Sequence, residues 1–104
     1  MRRGEVWWAR LGGPAGERPV VIVTRGSAVP VRALVTVVQV TTRRRGLETE
    51  VSLGPADGLP KPCVANADVL LTVAKSCLVR RLAVLSDGKL RALSRAVRFA
   101  LGLD

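Results

Sequence analysis

Gly16-Glu17-Arg18-Pro19-Val20-Val21-Ile22-Val23-Thr24 is the stretch on which the reading of this chain turns. Its last five residues are all β-branched. A short uninterrupted run of that kind reads as a buried central strand, because branched side chains pack well on a pleated surface. Pro19 has a fixed φ and no N–H to donate, so it is expected at the first position of that strand. A residue before proline is biased to extended conformations. Arg18 is therefore held at the strand's entrance, projecting from a defined backbone at the rim of a sheet.

Outward from this strand the chain keeps reading as β. Glu5–Leu11 has strong strand formers and is expected to be the first strand. Trp7 and Trp8 are adjacent, so they face opposite sides of the sheet. One serves the core, and the other lies at an interface or offers a stacking surface for a base. The glycines of Gly12–Gly16 lack the lysine and spacing of a phosphate-binding loop, so this segment reads as a turn. Arg25–Arg32 reads as a loop and Ala33–Thr41 as a long β-branched strand, which runs into Thr42 and then Arg43-Arg44-Arg45. Three successive arginines at a strand end create a local positive field suited to a nucleic-acid backbone. Leu47–Leu53 alternates apolar and polar residues as a half-exposed strand does, with Glu48 and Glu50 toward solvent.

Gly54–Pro62 is rich in glycine and proline and reads as a loop; Cys63–Val73 returns to strand character. Asn66 and Asp68 interrupt that strand on a shared face, where they either form a polar patch or simply meet water. Lys75–Arg81 is expected to be a connector with a helical turn, and Leu82–Leu85 a short last strand. Ser86–Leu101 reads as a helix with Ser86 as N-cap, Asp87 in the first turn and Gly102 as the stop. Leu90, Leu93, Val97 and Leu101 form its apolar stripe.

The 104 residues suffice for one domain with one core, spanning residues 1–104. Seventeen basic against eight acidic residues give a net charge of +9, which points to a polyanionic partner. The apolar runs are too short to span a membrane, and the charged N-terminus lacks the apolar stretch of a signal peptide. Cys63 and Cys77 fit no metal spacing and need not pair, so a reduced, cytoplasmic protein is the simplest reading. The chain contains no histidine. Histidine-based acid–base catalysis, Ser-His-Asp triads and the commonest zinc sites are thereby excluded. Phosphodiester chemistry remains open, because guanidinium groups and a hydroxyl can stabilise charge gathering on phosphate oxygens.

Arg-Gly-Glu-Val-Trp-Trp (Arg3–Trp8), Arg-Pro-Val-Val-Ile-Val (Arg18–Val23), Val-Thr-Thr (Val40–Thr42) and Ala-Leu-Gly-Leu (Ala100–Leu103) follow one another in register. In that order the chain resembles the MazF/PemK family of toxin endoribonucleases from about Arg2 to Leu103. The resemblance implies a mainly β fold with a C-terminal helix, a small SH3-like barrel that works as a homodimer. It also implies cleavage of single-stranded RNA without metal or other cofactor, and neutralisation by a cognate antitoxin with an acidic tail. By the same resemblance Arg18 and Thr41 are the catalytic residues. The substrate's own 2′-OH then attacks the adjacent phosphate, leaving a 2′,3′-cyclic phosphate or 3′-phosphate and a 5′-OH. Glu17, Arg25, Thr42, Arg43 and Arg44 are the candidate RNA contacts. The first loop, Gly12–Glu17, is shorter than the family's usual pattern and sets Glu17 directly beside Arg18. Two rival readings use the same small barrel: a CcdB-like gyrase poison, and a basic RNA-binding protein without cleavage.

Overall fold

A computed structural model describes residues 1–103 as six strands followed by one helix. The strands are β1 (Glu5–Gly12), β2 (Gly16–Ile22), β3 (Leu34–Thr41), β4 (Glu50–Leu53), β5 (Cys63–Ala74) and β6 (Leu78–Val84); the helix α1 spans Asp87–Ala100. All pairings are antiparallel, in the order β4-β5-β3-β2-β1-β6. The sheet curls into a half-barrel, in keeping with the small barrel expected from the resemblance. Among the described residues no helix is long and apolar enough to cross a membrane.

The uninterrupted β-branched runs have a direct cause: both faces of the sheet are buried. Val21, Val38 and Val40 point to one face, where they pack with Val6, Leu93 and Ala96 beneath α1. Val20, Ile22, Val35 and Val37 point to the other, packing with Ala9, Val29 and Leu78. A strand covered on both sides has no polar alternation to show. Trp7 packs against the second cluster and donates from Nε1 to Glu5 (2.9 Å), so it is the core tryptophan of the pair.

Four expectations are corrected. Pro19 is the fourth residue of β2 rather than its first. It pairs with Trp8 of β1, while the β2–β3 ladder begins only at Val20, so the missing N–H falls where β2 has one neighbour. The last strand is Leu78–Val84, longer than the Leu82–Leu85 expected. It is an edge strand with exposed Arg80 and Arg81, held by pairing with β1 rather than by an apolar pattern. β4 is only Glu50–Leu53, because the Glu50 carboxylate accepts N–H bonds from Arg45, Gly46 and Leu47 and holds that segment as a loop. Leu101 is exposed, so the buried stripe of α1 centres on Leu93 and Ala96.

The helix begins and ends as its sequence predicts. Ser86 Oγ accepts the Lys89 N–H. At the other end Gly102 has φ +70°, and the N–H groups of Gly102 and Leu103 bond to the carbonyls of Phe99 and Arg98. This double closure needs a left-handed residue that only glycine adopts without strain. Arg3 joins the N-terminus to the helix, donating to the Val23 carbonyl and to Ser94 Oγ.

Glu5 is a buried carboxylate with every contact a donor: the Arg2 N–H at 3.0 Å, Trp7 Nε1 at 2.9 Å and Arg81 at 3.4 Å. Burial alone pushes its pKa up, and the hydrogen bonds more than offset this, leaving it below its ordinary 4.5. A depressed carboxylate stabilises the fold above its unfolded pKa, and that contribution is lost as pH falls through the folded value. Urea unfolding at stepped pH should therefore show wild type more stable than Glu5→Gln at neutral pH, with the gap closing below about pH 4. A gap constant with pH would remove Glu5 as its cause.

Candidate active site

The register of β2 on β3 pairs Val20 with Gln39, Val21 with Val38 and Ile22 with Val37. Continued by two residues it sets Arg18 opposite Thr41, yet the ladder stops short of them. Gly16–Pro19 pair only with β1, and Val40 and Thr41 only with β5. The sheet therefore parts between these strand ends. Arg18 and Thr41 stand at the opening and border two cavities, of about 320 Å³ and about 200 Å³.

The Arg18 guanidinium is half-buried and fixed at two points. Nε donates to the Ala15 carbonyl (2.8 Å) and Nη1 donates to Gln39 Oε1 (3.1 Å). The loop between β1 and β2 thus has a specific task, since its Ala15 carbonyl orients the arginine. Thr41 Oγ1 accepts the Arg43 N–H (3.2 Å), which leaves the hydroxyl hydrogen free to donate.

The larger cavity has Trp8, Pro19 and Leu59 on its walls, with Thr42 and Lys61 at the rim. Trp8 is therefore the tryptophan available for stacking. Its Nε1 donates to Glu17 Oε1 (2.9 Å), and Arg10 stands 3.8 Å from the same oxygen. Glu17 is thus engaged away from its neighbour Arg18, and among the described residues it is the one carboxylate lining either cavity. Cys63 also lines this cavity, but burial pushes its thiol pKa up, against the pull of Arg44 and Lys61. It is a neutral thiol rather than a nucleophile. Among the described residues no group of three His, Cys, Asp or Glu is placed to hold a metal ion; Cys63 and Cys77 are both free.

The candidate RNA contacts divide between this opening and other surfaces. Glu17 and Thr42 border the larger cavity and Arg43 the smaller. Arg44 turns to a separate recess beside Ser52 and Val64, while Arg45 returns to the smaller cavity with Arg43. Arg25 lies three residues beyond the far end of β2, in a groove with Val31, Leu34 and Leu101. A strand rising about 3.3 Å per residue separates it from Arg18 by roughly 20 Å. Arg25 lies away from the Arg18–Thr41 opening, and Arg44, though near Cys63, lines neither of its two cavities.

Gln39 and Lys61 at the opening escaped the sequence reading, and Asn66 was read there only as a polar interruption of its strand. Gln39 carried a signal, being a buried amide inside an otherwise apolar run. Asn66 pairs with Gln39 only because β5 carries three extra residues, Ala67–Val69, opposite the Val38–Gln39 step. Such a bulge re-aims a side chain, and no local pattern announces it. Asn66 is buried and Asp68 exposed: the Asp68 backbone N–H donates to Asn66 Oδ1, while the Asp68 carboxylate accepts from Thr49 Oγ1.

Comparison with known proteins places this geometry in context. The family model for the PemK-like, MazF-like toxin of type II toxin–antitoxin systems matches residues 2–101. The Mycobacterium tuberculosis protein named "Probable endoribonuclease MazF5" is 39% identical over 100 residues, covering 95% of this chain and 91% of its own. The structure of M. tuberculosis toxin MazF-mt6 superposes with a TM-score of 0.88 at 35% identity, over 96% of this chain and 98% of that one. A mycobacterial endoribonuclease solved in complex with its cognate antitoxin gives 0.89 at 34% identity, over 100% and 97%.

Proposed function

Since the chain belongs to the PemK-like, MazF-like toxin family, we propose that it is a sequence-specific endoribonuclease that cuts single-stranded RNA without a metal. The observation that carries this reading is the Arg18 guanidinium, held by the Ala15 carbonyl and Gln39 across the opening from Thr41. The backbone phosphate sits at that opening. The substrate's 2′-OH attacks the adjacent phosphorus, the bond to the 5′ oxygen breaks, and a 2′,3′-cyclic phosphate and a 5′-OH result. Arg18 stabilises the charge on the phosphorane oxygens. Its donors are already oriented, so little reorganisation is needed as charge develops. The Thr41 hydroxyl donates to a second oxygen and helps fix in-line geometry. Glu17, the one carboxylate of the cavity among the described residues, turns from Trp8 and Arg10 to take the 2′-OH proton. Water protonates the leaving 5′ oxygen, because a guanidinium gives up its own proton too reluctantly.

Trp8 offers its indole face to a flanking base, and Arg43, Arg45 and Lys61 neutralise neighbouring phosphates. In this reading the protein is a cytoplasmic homodimer that halts translation and growth. A cognate antitoxin neutralises it by laying an acidic segment along the same basic opening.

The test is incubation of a long single-stranded RNA with wild type and Glu17→Gln in EDTA, with analysis of the fragment ends. Wild type should give discrete fragments with 5′-OH ends, and Glu17→Gln should give the same fragments about 10²-fold or more slowly. Intact RNA with wild type would overturn the ribonuclease reading in favour of a barrel that only binds. An unchanged rate for Glu17→Gln would remove Glu17 from proton transfer.

A further inference from the structure

The smaller cavity has a chemical bias that follows from two buried amides. Gln39 Oε1 accepts from Arg18 Nη1, and Asn66 Oδ1 accepts the Asp68 N–H (3.0 Å). Both partners can only donate, so the orientation of each amide is settled: oxygen toward the partner, NH₂ the other way. Neither NH₂ has an acceptor among the described residues, yet no buried side-chain nitrogen or oxygen lacks a partner. Both nitrogens must therefore be accessible, and the opening available to them is the cavity both residues line. The remaining polar side chains there are Arg18, Arg43 and Arg45, which only donate, and Thr41, whose hydroxyl hydrogen is free to donate because its oxygen accepts the Arg43 N–H. Donors thus predominate on the wall, with Val69 as its apolar part.

The geometry points to this cavity as a base-reading subsite that selects a base with an exocyclic oxo group, guanine or uracil, over the amino bases adenine and cytosine. Its volume of about 200 Å³ gives room for a single base. The O6 of guanine and the O4 of uracil accept from the Asn66 NH₂, with N7 of guanine as a second acceptor beside O6. The amino group of adenine or cytosine would instead meet donors, leaving N–H groups on both sides desolvated and unpaired. Asn66 is the specificity residue in this arrangement. Gln39 is a positioning residue, since its oxygen holds Arg18 while its NH₂ completes the wall. The bulge at Ala67–Val69 is what delivers Asn66 to the site.

This proposal rests on RNA being the ligand, and its test separates the two claims. Wild type and Asn66→Asp are each given a randomised single-stranded RNA library, and the sequences around the cuts are read. Wild type should show one position beside the cut at which G and U exceed A and C by roughly tenfold, the order of one good base contact. Asn66→Asp keeps the shape and the acceptor for the Asp68 N–H but replaces the NH₂ with an acceptor. It should shift that one position toward A and C and leave the others unchanged. If circular dichroism shows that Asn66→Asp does not fold, Asn66→Ala should flatten the same position. A library left whole by wild type would overturn cleavage alone; sequencing the RNA retained on the protein then reads the same preference. Identical profiles for wild type and variant, or no position favouring G and U, would overturn the subsite and leave a phosphate contact in its place.

Discussion

Arg18→Ala is expected to lower RNA cleavage about 10³-fold, the loss typical of removing a preorganised donor from an oxyanion site. The fold should survive, because Arg18 lies at the parted end of β2, outside both apolar clusters. RNA affinity should fall only modestly, one charge among seventeen basic residues being lost. Arg18→Lys should not restore the rate. A lysine keeps the charge but lacks the planar fork that meets the Ala15 carbonyl and Gln39 together. Single-turnover cleavage with saturating protein separates the two effects, since a binding defect disappears there and a chemical one does not. Near-normal single-turnover cleavage by Arg18→Ala would place the reacting phosphate elsewhere.

Leu93→Ala is expected to cost about 3 kcal/mol of stability, within the range for a buried leucine cut back to a methyl group. Leu93 is fully buried and packs from α1 into the cluster with Val6, Val21 and Val38. The sheet has already curled around this cluster, so little collapse can fill the void. Exposed Leu101, just past the end of the same helix, provides the contrast: Leu101→Ala should fall within about 0.5 kcal/mol of wild type. Urea unfolding of the two variants checks both values. A loss at Leu101 equal to that at Leu93 would mean that Leu101 is covered in solution, as at a subunit interface.

The first of these expectations was legible in the sequence and the second largely so. Arg18-Pro19 before a β-branched run, with Thr41 ending the next long run, marked both members of the opening through the family resemblance. Leu93 stood in a helical stripe with a cap and a glycine stop. Other placements could not be read from the sequence, for definite reasons. Arg25 carries the same charge as Arg43 and is no further from Arg18 in sequence than many true neighbours. Its distance in space follows from β2 running between them. Within Arg43-Arg44-Arg45 the side chains alternate, sending Arg43 and Arg45 to one cavity and Arg44 to another. The run itself gives no sign of which parity faces the site. Glu50 looked like a solvent-facing strand residue, and only the folded loop turns three N–H groups onto its carboxylate.

What the sequence alone determined was whatever depends on neighbours along the chain. That includes strands apolar on both faces, the capped helix, the strong positive charge and a rigid proline beside an arginine. Only the tertiary structure decided where β2 and β3 part, and that a three-residue bulge in β5 carries Asn66 to Gln39. Side-chain alternation is a local property with a period of two, whereas pairing register joins residues far apart in the chain. The Arg18–Thr41 pair belongs to the first kind of information, and the pocket beside it to the second.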